Sequence, residues 1–364
     1  GSAGSSSSDN SSDAALAEML GIPSSLLSRN GAAAVREILE DPIYGSPNYT
    51  EATPSMVLDT GPDLTRRWRA EGIVRMPPSW NVCSKFLRRI TEELVWGSGG
   101  PNACRHPPAD ARYPCDRSDE TAAGGRVLTR LENFVHVHSG WRDMCDDHLR
   151  NAASAVVGER MALYKEKLNM KPPSGGGFAP HLDSPSLRSG APPGGAQKDG
   201  RPWPRTFVTV MVAIDRMLPG NGCLRVARGA WSEHPGEPRG AIGHLETSVA
   251  GGGDPSNPDG GGREGAIVPD ALGLLEFQDV ECAPGEVVVF DGWCPHRSAA
   301  NLSALGRRAV FLTYNPLREG DVRTEYYDNM TAIRKDYASK MVQERALKEE
   351  YAAAEMMALA SVPS

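Results

Sequence analysis

The spacing of apolar residues changes along this chain, helical in its first part and alternating in its second. Between Val82 and Trp96, Phe86, Leu87, Ile90 and Leu94 recur at helical intervals, which predicts an amphipathic helix packed by one face. Leu64 to Ala70 reads as a shorter helix closing on Gly72, and Gly72 to Pro77 as a short first strand. Trp141 to about Val157 is a longer helix, with Asp146, Asp147 and His148 on its solvated face. Ala14 to Leu39 suggests short helices broken at Pro23 and Gly31, and Gly97 to Gly125, rich in Gly, Pro, Asp and Arg, is expected to be irregular. Strand patterns then take over. Arg160 to Lys171 alternates, Thr206 to Ile214 is β-branched, and Leu274 to Val280, Glu286 to Phe290 and Arg308 to Asn315 follow.

Many short strands without regularly interleaved helices imply an antiparallel barrel or sandwich, so the fold class is mainly β with flanking helices. We expect one domain over 14–364 after a leader at 1–13: a helical part (14–158), a strand-rich core (about 160–320) and a charged, Ala-rich helix (about 322–359). That last helix covers the sheet or makes a subunit contact, such as a homodimer. Two Gly/Pro-rich stretches, 184–204 and 229–265, interrupt the core as lids or disordered inserts.

Composition excludes several classes. At 364 residues, 40% hydrophobic and 23% charged, the chain can bury its own core. A formal charge of −7 disfavours nucleic acid, whose phosphates need a basic partner. No apolar run approaches the roughly 18 residues of a membrane span, so no membrane partner is expected. Seven scattered cysteines without a CxxC pair indicate free thiols in a reducing compartment, hence a cytoplasmic location. The Gly/Ser/Asp-rich start has the look of an expression scar and matches neither a signal nor a transit peptide, which leaves open an organelle-targeting segment ahead of it. Cys104, His106 and Cys115 lack a convincing fourth ligand for structural zinc.

The informative chemistry begins at Phe178-Ala-Pro-His181-Leu-Asp183. In an extended chain, residues two apart share a side, so His181 and Asp183 can offer an imidazole and a carboxylate to one ion. Far downstream, a Pro284-Gly-Glu286 turn leads through an apolar strand to His296. Two histidines and one carboxylate on one face of a metal leave open positions, the arrangement of iron(II) oxygenases. An HxD pair alone is common by chance, and a loop histidine capped by a carboxylate is the competing reading. Arg307, eleven residues after His296, opens the next strand, where a guanidinium can grip a remote carboxylate in a bidentate fork. Ser298 shares the face of His296, and Arg308 should point the other way, to the surface. On the strand Tyr164 to Lys171, Lys165, Lys167 and Asn169 share a face, which is either the site or solvent. The pair His136 and His138 precedes the strand-rich core and reads as structural.

With those residues in place the chain resembles the phytanoyl-CoA dioxygenase family of iron(II)/2-oxoglutarate oxygenases, over roughly Asp59 to Asp328. The resemblance rests on Leu131-Glu-Asn-Phe134, the run Tyr164 to Pro172, Gly177 to Asp183, Asn221-Gly-Cys-Leu224, Pro284-Gly-Glu286, His296 and Arg307. It implies a double-stranded β-helix (a jelly-roll, cupin-like) and iron on His181, Asp183 and His296. It also implies 2-oxoglutarate on Arg307 and Ser298, with Asn169 and Lys165 near the cofactor. Dioxygen would oxidise a small-molecule substrate, with release of succinate and CO2. Within the family the motifs look most like hydroxylases of small amino-phosphonates. A departure is the separation of the two histidines, 115 positions, much of it in the 229–265 insert. Arg188, Lys198, Arg201 and Trp203 form either a cationic lid or a solvated loop, and Trp231, His234, Tyr326 and Tyr327 border the site or merely pack. A cupin-like isomerase or lyase using another metal, and a non-catalytic barrel binding protein, remain the alternatives.

Overall fold

The computed structural model describes residues 63–96, 117–120, 126–188, 190–229, 231, 265–267 and 269–333. The leader, the helices expected within 14–39, Cys104, His106, Cys115, His234, nearly all of the 229–265 insert and the C-terminal helix beyond 333 lie outside them. The expected homodimer contact falls mainly there.

Local chemistry accounts for the helices. Helix α1 (Leu64–Glu71) starts where the Asp63 carboxylate accepts from Arg66 N at 3.1 Å and stops at Gly72, whose left-handed backbone (φ 72°) returns its N–H to Trp68 O. Helix α2 (Ser84–Trp96) buries the expected stripe of Phe86, Leu87, Ile90 and Leu94. The predicted helix near Trp141 is two segments, α3 (Ser139–Asp143) and α4 (Leu149–Val157), joined by a π-helical turn at Met144–His148. That turn corrects one expectation: His148 is half-buried, its Nε2 lying 2.9 Å from Trp80 O and its ring against that of Trp80.

Eleven strands form two sheets among the described residues. They are β1 (Ile73–Arg75), β2 (Arg117–Glu120), β3 (Arg126–Glu132), β4 (Met161–Lys171), β5 (Phe178–His181), β6 (Val208–Ala213), β7 (Leu224–Ala227), β8 (Phe277–Val280), β9 (Val287–Asp291), β10 (His296–Ser298) and β11 (Arg307–Pro316). The large sheet runs β1-β9-β6-β11-β4-β3-β2 and the small one β5-β10-β7-β8. From β4 onward the chain passes repeatedly between the sheets, four strands in each, and so winds the double-stranded β-helix.

The hairpin of β2 and β3 corrects the sequence reading, which took Gly97 to Gly125 as irregular and saw no strand before Arg160 beyond β1. Both strands are rich in charge and carry no apolar run; pairing of β3 with β4, Arg130 opposite Asn169 and Leu131 opposite Leu168, and of β2 with β3 makes them strands. The segment 184–204 was expected to be a loop, yet it begins within a short helix, α5 (Asp183–Arg188), and buries Leu187, Gln197 and Trp203.

The two faces of the large sheet have different jobs. Its outer face (Val208, Val210, Val212, Val287, Val289, Val310 and Leu312) packs against α1 to α4. Its inner face (Met211, Ala213, Val288, Phe290 and Ala309) meets Leu224, Val226 and Val280 of the small sheet. Arg308 does point away from Arg307, but it is not a surface residue. Its guanidinium is held by Asp215, at 2.8 and 3.1 Å, and by Glu92 of α2, because the outer face is covered by that helix. A helix α6 (323–333) is anchored through Arg323, which donates to Glu166, a fully buried carboxylate on β4. No helix among the described residues is long and apolar enough to cross a membrane.

Trp141, fully buried at the junction of α3 with α2, donates its indole N–H to Ile90 O at 3.3 Å and meets Phe134 edge-on. Trp141→Ala should cost about 3–5 kcal/mol of stability. Urea unfolding checks this, and a loss under about 1 kcal/mol would show that the helical layer is not part of the cooperative unit.

Candidate active site

Strands β5 and β10 pair with His181 and His296 as direct antiparallel partners, which sets the two rings 4.1 Å apart between centroids. Asp183 arrives differently from the extended pair the sequence suggested. Strand β5 ends at His181, Leu182 is buried among Ile267 and its neighbours, and Asp183 is the first residue of α5. The helical start still returns the carboxylate to the rings: Asp183 Oδ1 is 4.0 Å from His181 Nε2 and 3.9 Å from His296 Nε2. One donor atom from each residue lies within 4.8 Å of the others, the one such cluster of three among the described residues.

The donor set suits a metal ion. His181 Nδ1 faces Ala179 O at 2.7 Å, and His296 Nδ1 faces Cys294 O at 2.9 Å. A carbonyl only accepts, so each Nδ1 carries the proton and each Nε2 keeps its lone pair for the centre. Burial, reinforced by the neighbouring His296, depresses the His181 pKa to about 3. Burial pushes the Asp183 carboxyl up, but His296, Lys167, His181 and the Thr209 hydroxyl outweigh it and hold it at about 2. At neutral pH the His181 ring is uncharged and Asp183 is ionised, the forms that coordinate metal. Thr209 Oγ1 donates to Asp183 Oδ2 at 3.3 Å and leaves Oδ1 for the centre.

A buried pair of cations lies on the same inner face. Arg307 on β11 is the register partner of Lys171 on β4, and they are 4% and 6% exposed. Lys171 Nζ donates to Ser298 Oγ at 2.9 Å and Ala299 O at 2.5 Å, while Arg307 Nη2 donates to Gly222 O. Arg307 Nε is buried with no hydrogen-bond partner. Gly222, left-handed at φ 71°, is needed here, since a Cβ would sit 2.3 Å from Ala299 O. Burial, then the adjacent Arg307, lowers the Lys171 pKa to about 7, and burial lowers that of Arg307 to about 10. Two cations side by side in a dry place call for an anion.

Farther along β4, Lys165 Nζ is 3.5 Å from Glu132 Oε1, and Asn169 Oδ1 accepts from Arg130 Nε at 3.2 Å. Lys167, on the same face, has its pKa lowered to about 8 by burial and then by Lys165.

Other sequence candidates separate from the centre. His138 caps α3 by accepting from Trp141 N, and His136 is exposed. Lys198 and Arg201 are exposed and paired with Asp328 and Asp199. Arg188 lies over the Trp293 ring, and the Trp231 indole donates to Ala227 O. A cleft of about 470 Å³ lined by Arg142, Arg150 and Arg160 lies on the helical side of the large sheet, away from the metal donors. Lys171 and Thr209 were missed by the sequence reading, although the alternation through Lys165, Lys167 and Asn169 reaches Lys171 in one more step.

The family profile for phytanoyl-CoA dioxygenase (PhyH) matches residues 104–309. This chain belongs to the phytanoyl-CoA dioxygenase family. It is 32% identical over 263 residues to a 2-aminoethylphosphonate dioxygenase from uncultured bacterium HF130_AEPn_1, covering 72% of this chain and 84% of that protein. It is 29% identical over 264 residues to a methylphosphonate hydroxylase from Gimesia maris, covering 72% and 83%. A solved structure, EctD from S. alaskensis with 2-oxoglutarate and 5-hydroxyectoine, is 17% identical, covers 76% of this chain and 88% of its own, and superposes with a TM-score of 0.48. As a phytanoyl-CoA dioxygenase family member the chain is an iron(II)- and 2-oxoglutarate-dependent dioxygenase, and its mainly β, jelly-roll fold agrees with the family's.

A carboxylate brought to Arg307 and Lys171 would raise the Lys171 pKa above its value of about 7, so binding takes up a proton over that interval. If 2-oxoglutarate is that carboxylate, its affinity should be greatest below pH 7 and fall as pH rises from 7 to 9. Titrations followed by tryptophan fluorescence at pH 6.5 and 8.5 measure this, and Lys171→Met should flatten the dependence.

Proposed function

We propose that this enzyme hydroxylates a small phosphonate or similarly charged small metabolite. Iron(II) would sit on His181, Asp183 and His296, and the distal carboxylate of 2-oxoglutarate on Arg307, Lys171 and Ser298. The observation that carries this reading is the buried, anion-seeking pair Arg307 and Lys171 on the inner face that also holds the three metal donors. The substrate class draws on the names of the two phosphonate-oxidising relatives. A cupin-like isomerase or lyase would leave that pair buried without a counter-ion.

When bound, iron supplies the coupling of 2-oxoglutarate decarboxylation, with release of succinate and CO2, to oxidation of the substrate by dioxygen. The chain's own contribution is geometric and electrostatic. The two backbone-tied imidazoles and the Thr209-held carboxylate present three donors from one side and leave the other side for ligands. Arg307 and Lys171 fix the far end of the co-substrate and so orient its chelating end. Asn169, held by Arg130, lies on the same face of β4 as Lys171.

Anaerobic titration with iron(II) and 2-oxoglutarate tests the reading through the weak visible charge-transfer band of the chelate. The wild type should develop the band. His181→Ala should lose it while unfolding within a few degrees of the wild type, and Arg307→Ala should need about 100-fold more 2-oxoglutarate, the usual cost of removing one side of a buried charged contact. A band that survives unchanged in both variants would overturn the assignment.

A further inference from the structure

The inner faces of β6 and β9 are apolar at Met211, Ala213, Val288 and Phe290, and Thr209 is the exception. Thr209 is the register partner of Phe290 on one side and of Thr313 on the other. The Phe290 ring in turn lies 5.1 Å from the His296 ring, so the pair of threonines sits in the layer beside the metal donors. Thr209 and Thr313 are 1% and 5% exposed. A hydroxyl in so dry a place costs stability unless it is hydrogen-bonded, and valine would fill the same volume without that demand.

Their contacts form one chain. Thr313 Oγ1 lies 3.3 Å from Thr209 Oγ1, which lies 3.3 Å from Asp183 Oδ2. Proton counting gives the chain a direction. A carboxylate that coordinates a metal is ionised and only accepts, so Thr209 donates to it. A hydroxyl has one proton, so the Thr209 oxygen accepts from Thr313. Lys165, the register partner of Thr313 on β4, only donates as an ammonium and does not take that proton. The hydroxyl and methyl of a threonine are similar in size, and Thr209 could turn its methyl to the carboxylate at little steric cost. Donation from Thr313 favours the rotamer that keeps the hydroxyl on Asp183 and polarises it further. With Oδ2 held, Oδ1 is the oxygen left facing His181 Nε2 and His296 Nε2, at 4.0 and 3.9 Å.

Resting on the proposed metal site, we infer that Thr313 is a positioning residue for the metal carboxylate. Acting through Thr209, it holds Asp183 as a one-oxygen ligand, which leaves a further coordination position for the reactants. The pairing of β6 with β11 thus sets the third metal ligand, although neither threonine belongs to the three-residue donor cluster.

The test is anaerobic iron(II) binding by the whole chain, without 2-oxoglutarate, measured by competition with a chromogenic iron(II) chelator. Thr209→Val should weaken iron(II) about ten-fold, the usual effect of removing a partner of a metal ligand. Thr313→Val should weaken it about three-fold or more, and Thr313→Ser, which keeps the hydroxyl, should stay within about two-fold of the wild type. The Thr209→Val/Thr313→Val protein should bind no more weakly than Thr209→Val alone, because Thr313 acts through Thr209. Thermal unfolding of the metal-free proteins, expected within a few degrees of one another, separates lost coordination from lost folding. Wild-type affinity in Thr313→Val would overturn the inference, as would a serine variant as weak as the valine one, or losses that multiply in the double variant. Iron that binds the wild type, is lost in His181→Ala and is untouched in Thr313→Val removes the inference and leaves the proposed metal site standing. A wild type that binds no iron removes both.

Discussion

The ten-residue antiparallel ladder between β4 and β11 is the constraint on which the site depends. It pairs Lys171 with Arg307 at one end and Lys165 with Thr313 toward the other, with a bulge after Thr313. Side chains on a strand alternate faces, so one register decides which residues of two strands look into the barrel. A slip by one position would turn Arg307 toward α2 and bring Arg308 inward. Instead Arg308 is tied to Asp215 and Glu92 on the outer side, an ion-pair network that makes the wrong register costly.

The candidate metal centre is built across the other sheet. His181 and His296 are neighbours only because β5 and β10 pair, and Asp183 joins them only because α5 starts at that residue. Backbone carbonyls fix both imidazole tautomers, so the geometry of the donors is set by main-chain structure and not by other side chains that could swing. The two sheets thus have separate tasks. The small one supplies the histidines, and the large one supplies Thr209 and the charged groups around them.

Those charged groups share one physical feature. Lys165, Lys171 and Arg307 are each less than a tenth exposed, and in this protein of formal charge −7 the inside of the barrel is locally cationic. A barrel interior that is locally positive is suited to drawing small anions inward. Placing the cations on paired strands also limits their movement, which lowers the entropy lost when an anion binds.

What the sequence determined by itself follows from local and periodic effects. The stripe in α2, the cap at Gly72, the alternation of β4 and β11, and the order HxD, strand, histidine, arginine were all readable, because each depends on spacing along the chain. Ser298, two residues on along β10, could be placed near His296 for the same reason. Only the tertiary structure decided the strand identity of β2 and β3, which comes from the pairing of β3 with β4 and of β2 with β3 and not from their own charged sequences. It alone showed that Arg308 faces a helix instead of water, that Asp183 begins a helix, and that Lys171 lies beside Arg307. Each of these is a relation between residues far apart in the chain. Spacing limits which face a side chain can take, but the packed partner decides what it meets there.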